Sequence, residues 1–128
     1  MMNTNKVKLT NKEFSRQLEI RTKRFAIEII KVLSRLNRTP AGKVISYQIL
    51  KSATFIGANY REANRSVSKA DFRSKISICT KEAAETQYWI ELIYEAELLD
   101  ENKIRTLHKE CSELLALFNS IYQQCKEK

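Results

Sequence analysis

Residues 57–72, GANYREANRSVSKADF, hold the densest set of side chains able to do chemistry in this chain. Arg61 and Arg65 are four apart and share one helical face, where two guanidinium groups can clamp phosphate oxygens. Lys69, Arg73 and Lys75 carry positive charge across the following turn, while Asn59 and Asn64 add amide hydrogen bonds. Glu62 points roughly 100 degrees away from Arg61 and is free to pair elsewhere. Two uses of the group stay open: contact with a nucleic-acid backbone, or salt bridges that fix a helix end or a subunit boundary.

A second constellation is Glu82 and Glu85, three apart and therefore on one helical face. Paired carboxylates can exchange protons or hold a divalent cation. Here neither belongs to a Glu-x-x-His motif, and the sole histidine, His108, lies in HKECSE on another element. Pairing with the arginine-rich surface of the second helix is the expected role. Tyr88 and Trp89 follow at once; adjacent helical residues cannot point the same way, so one faces the bundle and the other a boundary or a neighbouring subunit. Trp89 can anchor an interface or offer a stacking surface to a base. No nucleophile and base can be assembled, no metal ligand set is present and no cofactor motif is visible, so the sequence reads as a non-enzyme without a cofactor.

Four helices must position these side chains. With one Pro and two Gly among 128 residues, few strong breaks interrupt runs rich in helix-forming residues. The first run starts at Thr10 as N-cap, with Glu13 behind it, and carries Phe14, Leu18, Phe25, Ile29, Val32, Leu33 and Leu36 at helical spacing. Residues 38–42 form the clearest connection. A second helix is expected over residues 42–64, its inner or interfacial side made of Val44, Ile45, Ile49, Ala53, Ile56 and Tyr60. Small residues at Ser46, Ser52, Ala53, Gly57 and Ala58 permit close approach of another helix, which can belong to another subunit. Gly57 costs about 1 kcal/mol of helix propensity relative to Ala, so it needs a steric reason or a local bend. Ser68 caps a third helix, with Asp71 in its first turn, that is expected to reach about Leu99. After a turn at residues 100–102, a fourth carries Ile104, Leu107, Cys111, Leu114, Leu115, Phe118, Ile121 and Tyr122. The expected architecture is an all-α, antiparallel up-and-down four-helix bundle over residues 10–128, preceded by a flexible segment, residues 1–9.

Charge is divided along the chain. Residues 1–81 carry 18 Lys and Arg against 5 Asp and Glu, a net +13; residues 82–128 carry 5 against 10, a net −5. Such a division steers the basic part toward phosphate or an acidic protein, or lets subunits pack with opposite charges facing. No apolar run is long enough to span a bilayer and the N-terminal residues lack an apolar signal core, so no membrane role and a cytoplasmic location are expected. Cys79, Cys111 and Cys125 form no CxxC pair, as expected of reduced thiols that serve packing.

The segment IGANYREANRSVSKADFRSKISICTKEAAETQYWIELI, residues 56–93, and the helix around Phe25 resemble a family of small bacterial four-helix-bundle proteins. The family includes the proteins encoded in intervening sequences of large-subunit ribosomal RNA genes, also labelled S23-type ribosomal proteins, and accessory proteins of diversity-generating retroelements. Its Ser-Asn-Ile-x-Glu-Gly-like segment is matched here by Ala58, Asn59, Tyr60, Glu62 and Ala63, its following Phe by Phe72, and its Glu-Leu-like segment by Glu85 with Thr86. Ala63 stands where Gly is commoner, and Tyr60 where a smaller Ile-like residue is. The resemblance implies a homopentamer with a central opening. It also implies association with RNA or a ribonucleoprotein, as the accessory proteins associate with nucleic acid and a reverse transcriptase through basic surfaces.

From these readings Arg61, Arg65, Lys69, Arg73 and Lys75 are the expected nucleic-acid contacts, with Asn59, Tyr60, Glu62, Glu82, Glu85 and Trp89 as interface or structural groups. The expected function is that of a self-associating binding protein. Its alternative is an assembly scaffold that consumes the same charges between subunits.

Overall fold

The computed structural model describes residues 11–126, in four helices: α1 (Asn11–Leu36), α2 (Pro40–Ala63), α3 (Lys69–Glu95) and α4 (Glu101–Lys126). The expected segment 1–9 and the Thr10 cap lie outside the described residues. Helix α1 packs on α2 and α4, and α3 packs on the same two, while the backbones of the diagonal pairs stay apart among the described residues. The result is an antiparallel bundle in which the helices follow one another around a square.

Each helix buries a stripe at helical spacing, as in Leu18, Thr22, Phe25, Ile29, Val32 and Leu36 of α1. Against these pack Ile49, Ile56 and Tyr60 of α2, Ile76 and Ile90 of α3, and Leu114 and Phe118 of α4. Tyr60 is fully inside, its ring edge-on to Phe118 at 5.5 Å. The phenol of Tyr60 fills the space that a smaller residue would leave, which removes it from any exposed interface.

The first connection is shorter than expected. Thr39 accepts from the Gly42 N–H at 3.0 Å, and Pro40, whose missing N–H is no loss in a first turn, begins α2. Gly42 is needed there because a Cβ would run into the Leu36 carbonyl oxygen. Val44, expected on the inner or interfacial side, is 61% exposed in the bundle; Ile45 takes the inward position.

The small residues of α2 serve contacts within the chain. A Cβ on Gly57 would stand 3.0 Å from Thr22 Oγ1, so the missing side chain lets α1 and α2 approach. Ser52 and Ala53 are buried between helices, and the Ser52 and Thr86 hydroxyls bond each other at 2.8 Å across α2 and α3. Cys79 and Cys111 donate to the carbonyls of Ile56 and Ala83, and burial pushes each thiol up to about 12. Arg21 closes the square by forking onto Glu110 of α4 at 2.7 and 2.9 Å, with Glu113 at 2.6 Å.

Helix α3 stops at Glu95, short of the expected Leu99. Glu97 adopts a positive φ of 56°, the Leu98 N–H bonds the Ile93 carbonyl, and the Glu97 N–H bonds that of Tyr94. This pair of bonds is the Schellman termination, here without the glycine that usually occupies the left-handed position. Leu98 continues the apolar pattern because it folds back to cover the helix end.

Candidate nucleic-acid interface

The four helices bring one end of the bundle together around the turn between α2 and α3. Asn64 ends α2, its N–H bonded to the Tyr60 carbonyl, and the Arg65 and Ser66 N–H groups bond the carbonyls of Glu62 and Ala63. Ser68 then accepts from the Asp71 N–H at 3.0 Å and starts α3. The serines interrupting the charged residues thus tie down the backbone, and the turn presents its cations from a fixed frame.

The five expected contacts divide into two groups. Arg61 lies 3.6 Å from Glu19 of α1, and Lys75 is 2.9 Å from Glu62, whose carboxylate raises the lysine pKa. Those two join helices. Arg65 bonds only the Arg61 carbonyl, and Lys69 and Arg73 have no ion pair among the described residues. Asn59 donates to the Phe55 carbonyl of its own helix, while Asn64 donates to Glu19 at 2.8 Å.

Two further cations arrive from α1. Lys12, Arg16 and Arg65 line one open cleft of about 430 Å³ together with Asn64 and Glu19. Lys69 and Arg73 line a second, of about 540 Å³, with Asn64, Ser66 and Ser68 on its floor and wall. Asn64 borders both, so five cations without a carboxylate partner among the described residues surround one turn. Glu19, which lines the first of these clefts, is already shared by Arg61 and Asn64. Lys12 and Arg16 lie outside the stretch 57–72 that the sequence marks, because a cluster assembled from separate helices leaves no single local signature. Their i,i+4 spacing at the start of the first helix, combined with an up-and-down topology, places them at this end.

The α3 carboxylates behave differently from expectation. Neither Glu82 nor Glu85 meets an arginine of α2: Glu85 accepts from the Trp89 indole at 3.2 Å, and Glu82 has no ion pair among the described residues. Burial, then the charge of Glu85, raises the Glu82 pKa against the opposing pull of Lys51 and Lys81. The two acids sit farther along α3 than the turn arginines reach. Trp89 packs half-buried against the core and Tyr88 stands 56% exposed, their rings 4.9 Å apart, so the adjacent aromatics divide as their positions require. No described helix is long and apolar enough to cross a membrane.

The family model for the 23S rRNA-intervening sequence protein matches residues 16–120. A crystal structure of a protein with unknown function from the S23 ribosomal protein family of Bacteroides thetaiotaomicron VPI-5482 is 36% identical, with a TM-score of 0.76, covering 81% of this chain and 96% of that one. No curated protein matches the chain.

Proposed function

This chain belongs to the 23S rRNA-intervening sequence protein family, and from that premise we propose that it is a non-enzymatic, self-associating protein whose basic end contacts RNA or a ribonucleoprotein. The observation that carries the reading is the set Lys12, Arg16, Arg65, Lys69 and Arg73, five cations without carboxylate partners among the described residues, gathered around one capped turn. Unneutralised cations held close together repel one another, and a phosphate backbone relieves that repulsion while releasing its own counterions. Arginines direct bonds to phosphate oxygens; lysines add mobile charge. No base-reading motif accompanies them, so contact is with the backbone and largely independent of sequence.

Self-association repeats the patch and raises its avidity. Exposed Ile20, Ile27 and Ile30 on α1 and Val44, Tyr47 and Phe55 on α2 favour it. The pentamer is the state that the family resemblance implies. The three free cysteines suit a reducing cytoplasm, where the protein acts.

The same exposed apolar residues favour a second reading, an assembly scaffold that binds no nucleic acid. Fluorescence anisotropy with several unrelated RNA sequences, beside sedimentation equilibrium, separates the two. The RNA reading expects binding to all of the sequences with a steep salt dependence. Assembly without binding at low salt would leave the scaffold.

A further inference from the structure

A third cleft, of about 340 Å³, opens at the basic pole, and no charged side chain lines it. Phe14, Phe72 and Ile121 form its walls, each packed against the core and only partly buried. Asn11 and Gln124 line it as exposed residues, their amides without a protein partner among the described residues. Tyr60 lies buried beneath, its hydroxyl beside Ser15 and Asn64. The cleft is continuous with both cation clefts. It shares Ser15 and Asn64 with the one that holds Lys12, Arg16 and Arg65. With the one that holds Lys69 and Arg73 it shares Asn64, Phe72 and Cys125.

Resting on the RNA reading above and deepening it, we infer that this cleft seats one unpaired base of a single-stranded RNA, the phosphates on either side of that nucleotide lying in the two cation clefts. The occupant follows from the three parts taken together. Partly open aromatic rings stack on the face of a base, and every base has such a face, so the seat is tolerant of sequence. Amides both donate and accept, and so bond the edges of purines and pyrimidines alike. A nucleotide within a strand carries one phosphate on each side, and a cation cleft adjoins the seat on each side. Cavities that hold small ligands start at about 300 Å³, and this one is of that size. Inorganic phosphate would satisfy the cations and leave the aromatic walls in water. Duplex RNA keeps its bases stacked and paired, so it would meet the cations alone unless it paid to extrude a base.

The test compares three ligands on the full chain: a short unstructured single-stranded RNA, the same strand with abasic sites, and its duplex. Phe14→Leu with Phe72→Leu keeps apolar bulk and removes both stacking faces. In anisotropy titrations this pair should weaken the single strand about tenfold at an unchanged salt slope, and leave the abasic strand and the duplex within about twofold. Circular dichroism must show the parent's helicity. A second measurement needs no variant: Cys125 lines the cleft and is the cysteine of the three that is not buried, so its alkylation by iodoacetamide reads occupancy. The single strand at saturation should slow that reaction about tenfold more than the saturating abasic strand does. Phenylalanine variants that weaken all three ligands alike or none, or an abasic strand that protects Cys125 as fully as the intact one, overturn the seat and leave the backbone contact standing. Cys125 that resists the reagent without RNA shows the cleft already covered by the chain itself, which overturns the seat too. Poly-glutamate protecting Cys125 as fully as the single strand assigns the pole to an acidic protein instead. A protein that binds none of the three at low salt overturns the RNA reading along with the seat.

Discussion

Replacing Arg65, Lys69 and Arg73 together by glutamine removes three of the five unpaired cations and leaves every helix-joining ion pair intact. On single-stranded RNA each neutralised phosphate contributes about 0.7 to the slope of log affinity against log salt, so five contacts per engaged subunit give about −3.5 and two give about −1.4. Between 50 and 200 mM salt the parent should then lose about 100-fold in affinity and the triple variant only about sevenfold. The control is Arg61→Gln with Lys75→Gln, whose charges already meet Glu19 and Glu62; its slope should stay within about 0.5 of the parent's. Anisotropy titrations on one unstructured RNA at four salt concentrations, on proteins of matched mass and helicity, read all three slopes. A triple variant with the parent's slope, or a control pair that loses as much as the triple, would refute the division between free and committed cations.

Thr86→Val strands the buried Ser52 hydroxyl with only a 3.4 Å bond to the Ile49 carbonyl, and should cost about 1–3 kcal/mol in urea unfolding. Ser52→Ala leaves Thr86 bonded to the Glu82 carbonyl at 2.8 Å and should cost about 1 kcal/mol or less, the double variant falling well short of the sum. Glu97→Gly relieves the left-handed backbone and should stabilise by roughly 1 kcal/mol, seen as a rise of a few degrees in Tm. Cys79 and Cys111 stay protonated in the fold up to about pH 12, whereas unfolded thiols ionise near 8.5, so their stabilisation is complete below that pH and declines above it. Urea unfolding should show a loss of about 1 kcal/mol for each thiol between pH 8.5 and 9.5, absent when both are replaced by alanine.

The helices were legible because their signals are local: a buried stripe at 3.6-residue spacing and Ser68 three residues before Asp71, whereas Pro40, expected within the connection, opens α2 instead. The end of α3 was not, because Leu98 and Leu99 prolong the apolar pattern while the chain has already turned at a non-glycine residue. Periodicity reports which residues are covered, and a residue folded back over a helix end is covered too. For the same reason Tyr60 and Ser52 looked suited to a subunit boundary: the sequence marks a close contact without naming its partner. In the candidate site, Arg65, Lys69 and Arg73 could be read from one stretch. The commitments of Arg61 to Glu19 and of Lys75 to Glu62, and the arrival of Lys12 and Arg16, depend on which helices become neighbours.

The start of α1, the end of α2, the start of α3 and the end of α4 meet in one cleft, lined by Asn11, Asn64, Phe72 and Cys125. A purification tag or fluorescent protein fused directly before Asn11 or after Lys126 would therefore emerge beside the basic turn, where it shields or competes for that surface. Opening the chain within residues 37–39 and joining Lys126 to Asn11 through a flexible linker would move the new ends to the opposite pole while leaving the four helix contacts in place. Such a circular permutant carries a reporter away from the surface under study, and it would show whether the order of synthesis of the four helices matters to their assembly.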